Sequence, residues 1–329
     1  MRLRVWLFPI AVGVIAHALG NLFEDGGGGG ESESSRLKRR AAKMKARIDA
    51  ETKRTREAQQ QLDEIMQQLR EMEQREARMQ EIRDELGYHS EAPRFTPDLV
   101  AAARKDLGYV QGKTNIVFVG NVNVGKSSLV NALCGIPNKH PTAARVGGSQ
   151  VTLTTACYET RHHSDIMLFD TPGAGTMDVP AFRFYYEQKL YAFDAVVLVH
   201  DTTLTTANIR LLQMCSLAHQ PCVAVRTRAD THIENYAKDF ECKLEEAREM
   251  YLAEARQDIA ECQAKITQKW PEHGIQIRDH IVSATGVRNI LEGAASSDDP
   301  AVAYIDEWDL VCALSLRPAA PGIANAPYE

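Results

Sequence analysis

Nine residues carry the strongest chemical signal: Gly120, Asn121, Val122, Asn123, Val124, Gly125, Lys126, Ser127 and Ser128. They fit the spacing G-x-x-x-x-G-K-[ST], after the apolar run Ile116–Val119 and before a helical pattern, the context that motif requires. Each residue type has a task. Gly120 and Gly125 let the chain turn tightly about a phosphate. Successive backbone N–H groups face inward and add to the positive end of the following helix. Lys126 brings an ammonium to the β- and γ-phosphates, and Ser127 offers a hydroxyl to Mg²⁺. A chance glycine-rich turn is the competing reading, and the elements downstream weigh against it.

A phosphate loop of this kind needs a carboxylate at the end of a second strand to hold the metal through water. Met167-Leu168-Phe169-Asp170-Thr171-Pro172-Gly173 supplies Asp170, 44 residues after Lys126, and the N–H of Gly173 is placed to sense the γ-phosphate. The base must be argued separately, because adenine and guanine enzymes share this machinery. Thr227-Arg228-Ala229-Asp230 follows the apolar run Cys222–Arg226 and fits [NT]-K-x-D with Arg in place of Lys. Asp230 would accept from guanine N1–H and the exocyclic amine, with the stem of Arg228 over the base plane. Asp230 also suits the positive end of a helix with no ligand at all. Val282-Ser283-Ala284-Thr285 follows another apolar run, and the Ala284 N–H could donate to guanine O6.

Taken together, Asp170–Thr176, Tyr191-Ala192-Phe193-Asp194 and Val225–Asp230 resemble the immunity-related GTPase family, over about residues 95–316. The switch segment of that family reads roughly A-x-x-G-x-x-E-x-T, with a Tyr six residues after the Thr. Here Ala144 and Gly147 are followed by Gln150, Thr152 and Tyr158 at matching spacing. The resemblance implies GTP as substrate, Thr152 as the switch threonine on Mg²⁺ ahead of Thr154 and Thr155, and completion of the site by two nucleotide domains facing each other. It puts Gln150 where the family has its catalytic Glu. Ala174 stands directly after Gly173, so the common water-orienting Gln is absent, as in the family. Two family features are not expected here: the helical domain after the nucleotide domain, for which the chain leaves no room, and N-terminal myristoylation, because residue 2 is Arg.

These residues need an α/β scaffold, a mainly parallel sheet flanked by helices, as in P-loop GTPases. Candidate strands are Ile116–Gly120, Ile166–Asp170, Ala195–His200, Cys222–Arg226 and His280–Ser283. Helices are expected at Lys126–Cys134, Val179–Tyr191 and Ala207–His219, with a long one within His232–Trp270 and another at Ala301–Leu316. Before the domain, Pro97–Leu107 reads as a helix capped by Thr96. Residues 36–88 read as a coiled coil. A heptad frame runs through Leu37, Ala41, Met44, Ile48, Glu51, Thr55, Ala58, Leu62, Ile65, Leu69, Met72, Glu76, Met79, Arg83 and Leu86, and eleven of these fifteen positions are apolar. A single helix laced with i,i+4 ion pairs is the alternative.

Residues 1–24 form a hydrophobic segment with the apolar run Val5–Ala18. It is long enough for a short membrane helix. Ala16-His17-Ala18 also fits a signal-peptide cleavage site, and Pro9 and Gly13 suit a re-entrant or interfacial piece. Arg36, Lys38, Arg39, Arg40 and Lys43 outweigh Arg2 and Arg4, which favours membrane association with the nucleotide domain facing the cytoplasm. Residues 25–35 read as a glycine-rich linker and 317–329 as a disordered tail. A net charge of −6 gives no electrostatic footprint for nucleic acid. The seven cysteines, odd in number and without CxxC spacing, oppose a disulfide framework or a zinc site. The expected partners are GTP and GDP, a membrane, and further copies of the chain in a homodimer or larger oligomer.

Overall fold

Strand β1, Thr114–Val119, is apolar on both faces, with Ile116 and Phe118 in one core cluster and Val117 and Val119 in another. A strand buried on both sides calls for helices above and below it, and the computed structural model has that arrangement. It describes residues 33–87, 95–146, 155–161, 163–172, 180–270 and 275–316. The hydrophobic segment 1–24, most of the linker, Gly147, Gln150, Thr152, Gly173, Ala174 and the tail 317–329 lie outside the described residues.

The sheet has six strands in the order β2-β3-β1-β4-β5-β6: Ala156–Glu159, Ile166–Asp170, β1, Ala195–His200, Cys222–Arg226 and Asp279–Ile281. All neighbours are parallel except β2, which runs antiparallel to β3 at the edge. Parallel neighbours need long crossovers, and helices supply them. Helix α1 is Glu33–Glu85, α2 is Pro97–Leu107 and α3 is Lys126–Leu133. Then come α4 (Ala181–Glu187), α5 (Thr206–Leu217), α6 (Ala229–Asp239), α7 (Leu244–Lys269), α8 (Ala284–Leu291) and α9 (Glu307–Ala313). Leu129, Val130 and Leu133 of α3 pack one face of the sheet with Ile290 of α8 and Leu310 of α9. Tyr185 of α4 and Leu211 and Met214 of α5 pack the other. Each such side chain contributes about 1.5–3 kcal/mol by leaving water.

The described chain divides into two compact units between Gln74 and Arg75. The last turns of α1 therefore belong with the sheet domain, where Ile82 and Leu86 are buried in the same cluster as Tyr185.

Two expected helices need correction, and one strand was not anticipated. That strand, β2, is four residues long and only half-buried, too short to show a period. The long helix expected within His232–Trp270 is α7, and the shorter α6 precedes it, the two separated where Glu241 turns left-handed at φ 50°. The helix expected over Val179–Tyr191 stops at Glu187, because Lys189 is left-handed and only a 3₁₀ turn, Leu190–Ala192, follows. The helix expected over Ala301–Leu316 begins only at Glu307. Arg248 of α7 donates to the carbonyls of Pro300, Ala303 and Tyr304 at 2.8–2.9 Å, fixing that stretch as turns. In contrast, α2 has the limits and the Thr96 cap read from the sequence; the Thr96 side chain accepts from the Leu99 N–H.

Candidate functional site

The phosphate loop leaves β1 at Gly120 and enters α3 at Lys126. A side chain at Gly120 would put its Cβ 2.1 Å from the Val199 carbonyl oxygen of β4, so only glycine fits. Gly125 is left-handed at φ 87° and offers α3 no side-chain cap. The first N–H groups of that helix are therefore left for an anion. The Lys126 ammonium is buried inside the loop and donates to the carbonyls of Gly120 at 3.1 Å and Asn121 at 2.7 Å. Burial pulls its pKa below the ordinary lysine value, and the Asp170 carboxylate works against that shift.

Asp170 ends β3, opposite Phe118 in the register, and is fully buried. The Ser127 hydroxyl donates to its Oδ2 at 2.6 Å. The turn after Asp170 is pinned by Thr171, whose hydroxyl donates to the Phe118 carbonyl at 2.7 Å. A hydroxyl and a carboxylate brought together beside a phosphate loop are hard oxygen donors. They suit Mg²⁺, which takes one or two protein ligands and fills its other positions with water and phosphate oxygens. The residues present fit that ion.

The second loop is fastened to the first. Thr227 is buried after β5; its N–H donates to the His200 carbonyl at 2.8 Å and its hydroxyl to the Val124 carbonyl at 2.5 Å. Arg228 is left-handed at φ 61°, with its guanidinium 3.6 Å from Asp201 at the end of β4. Asp230 is half-buried in the first turn of α6, where its Oδ1 accepts from the Thr231 N–H at 2.8 Å. The third loop joins through backbone: Val282 N–H donates to the Arg226 carbonyl at 2.8 Å and Ala229 N–H to the Val282 carbonyl at 3.2 Å. Ser283 caps α8 by accepting from the Gly286 N–H at 2.9 Å, and Ala284 is the first helical residue.

The structure thus gathers Gly120–Ser128, Asp170, Thr227, Arg228, Asp230, Ser283 and Ala284 around linked loops at the carboxyl ends of the parallel strands.

Two groups had no sequence signal. Glu307, almost wholly buried at the start of α9, accepts from the Ser283 N–H at 2.9 Å and holds the third loop. Burial raises its pKa, opposed by the backbone N–H groups of Ser283 and Ile305. Behind the second loop, His200 faces the Thr202 carbonyl at 2.6 Å and Asp279 Oδ1 at 2.8 Å. Arg226 lies 3.5 Å from Asp279 and 3.6 Å from Asp258. This largely buried network ties the last residues of β4 and β5 to the first residue of β6.

A mainly parallel sheet in this order, with a lysine-bearing phosphate loop after its first strand and linked loops after later ones, defines a P-loop nucleotide-binding domain of the GTPase type. The sequence model of the family Interferon-inducible GTPase (IIGP) matches residues 100–271, just over half of the chain. The chain belongs to this family. Interferon-inducible GTPase 1 of Mus musculus is 28% identical over 123 residues, covering 37% of this chain and 30% of the mouse protein. Interferon-inducible GTPase 5 of Rattus norvegicus is 31% identical over 111 residues, 34% of this chain and 24% of the rat protein. The matched part therefore spans less than a third of either relative. Among solved structures, Toc33 from Arabidopsis thaliana is 16% identical with a TM-score of 0.41, covering 68% of this chain and 92% of Toc33. NFeoB of S. thermophilus bound to GDP and AlF₄⁻ is 20% identical with a TM-score of 0.33, covering 52% and 57%.

Proposed function

We propose that this chain binds GTP with Mg²⁺ and hydrolyses it slowly to GDP, and that its nucleotide state controls self-assembly at a membrane surface, with the GTPase domain in the cytoplasm. The observation that carries the catalytic part is the pairing of Ser127 with Asp170 at 2.6 Å beside the enclosed Lys126 ammonium. Phosphoryl transfer asks little covalent chemistry of a protein; positioning and charge stabilisation dominate. The N–H groups of the phosphate loop and Lys126 hold the β- and γ-phosphates. Ser127 and Asp170, with Thr152 from the switch segment, hold Mg²⁺, which when bound offsets negative charge on the phosphate oxygens. Asp230 accepts from guanine, Arg228 covers the base, and Ala284 donates to O6. Gly173 senses the γ-phosphate.

Ala174 offers nothing to orient the attacking water, so one domain alone is under-equipped. Gln150 fills that role in a pair of facing domains. Its amide accepts from water and donates to phosphate, and it needs no proton transfer of its own. Turnover per molecule of the full chain should rise with protein concentration, and Gln150→Ala should lower the maximal rate while sparing GTP affinity. A specific rate flat from nanomolar to tens of micromolar would place the catalytic group elsewhere. A second reading, a GTP-binding scaffold with little turnover, is favoured by Gln150, whose amide cannot act as a base, and by Ala174; tight binding without hydrolysis at any concentration would select it.

A further inference from the structure

Helix α1 keeps large apolar side chains in water. Met44 is 68% exposed, Leu62 52%, Ile65 52% and Met72 57%. They lie on the heptad face, so the exposure forms one seam instead of scattered spots. The seam is exposed only as far as Gln74; from Arg75 onward α1 belongs to the sheet domain and gives Ile82 to its core, followed by Leu86 just past the helix end.

The free stretch is electrically lopsided. Residues 33–56 carry ten basic and three acidic side chains, whereas 57–74 carry one basic and five acidic. A parallel pair in register would lay the basic half against itself. Every seam residue would also face its own copy, so Glu51 would meet a second Glu51 inside the seam, a buried like-charge layer. Reversing one helix removes both penalties. With Met44 opposite the partner's Leu62, Ile48 meets the partner's Ala58 and Glu51 meets the partner's Thr55, a neutral side chain with a hydroxyl. No like charges meet in the seam, and the basic half faces the acidic half. In this register residues 33–73 overlap fully, about 60 Å at 1.5 Å per residue, which uses the whole free stretch of α1.

We propose that α1 pairs antiparallel with α1 of a second copy of this chain, in the register that sets Met44 opposite the partner's Leu62. The proposal rests on the self-association in the reading above and on nothing about nucleotide. Cross-linking without nucleotide therefore separates its failure from a failure of the catalytic reading. The full chain is prepared as Met44→Cys and as Leu62→Cys, and each variant is oxidised alone and after mixing, with the joined peptides identified by mass spectrometry. Mapping the peptides also sorts out products of the exposed Cys157 and Cys312. Mixing should give a disulfide between positions 44 and 62, in up to half of the chains, and neither variant alone should join 44 to 44 or 62 to 62. A 44-to-44 product from Met44→Cys alone would establish a parallel pair and overturn the proposal. So would the absence of cross-links at both positions in a chain that sediments as a monomer at tens of micromolar, which would leave the seam to a membrane or another protein.

Discussion

In the proposed reading, base choice turns on Asp230. Its carboxylate sits half-buried at the start of α6 and accepts from the neighbouring Thr231 N–H and hydroxyl, both on Oδ1, which leaves acceptor capacity on Oδ2 for a purine edge. Replacing it with Asn exchanges an acceptor for a donor. Asp230→Asn should weaken GTP by about 1.5–3 kcal/mol, the usual worth of a hydrogen bond to a charged group, and should favour xanthosine triphosphate. Competition binding with the two nucleotides reads this directly. Equal competition by ATP and GTP for the unmodified chain would refute the assignment. The neighbouring Arg228 shows what spacing alone conveys: its place after β5 was plain from the motif, but its left-handed backbone and its pairing with Asp201 were not, because Asp201 comes from a different strand end.

The elements sort into those written locally and those imposed from afar. Strands β1, β3, β4 and β5 are apolar runs bounded by polar residues, and α2 carries its own cap, so local chemistry announces them. The break between α6 and α7 has no such mark, since Phe240-Glu241-Cys242-Lys243 contains neither Gly nor Pro. The turns before α9 are fixed by Arg248, more than fifty residues earlier, and no window of sequence contains both partners. The network of His200, Arg226, Asp258 and Asp279 is likewise a product of strand register, because its members come from β4, β5, α7 and β6. Removing one member leaves charge buried without compensation. Asp279→Ala should cost about 3 kcal/mol in unfolding free energy, measured by denaturant titration, and should also weaken GTP, because Arg226 leads into Thr227. A loss under about 1 kcal/mol, the worth of an exposed pair, would show that Asp258 alone balances the arginine.

At the scale of the molecule, the phosphate site was the most legible part, since one short motif encodes it. The assembly of three loops around it was legible only as an order along the chain. The proposed membrane attachment rests on residues 1–24, which lie outside the described residues. Among the described residues no helix is long and apolar enough to cross a membrane. Deleting 1–24 should release the chain from membranes that otherwise retain it through carbonate extraction, and a soluble mature form cleaved after Ala18 would overturn the anchor. The bond from Thr227 to the Val124 carbonyl has a consequence for how the protein tolerates change. It clasps segments 103 residues apart, so the nucleotide can be gripped only by a sheet that is already complete to β5. Nucleotide binding then acts as a thermodynamic buffer for the entire domain. At a thousandfold excess over the dissociation constant it adds about 4 kcal/mol of stability, enough to mask damage far from the site. Substitutions that look harmless in GTP-rich surroundings should therefore show their cost when the nucleotide is withdrawn.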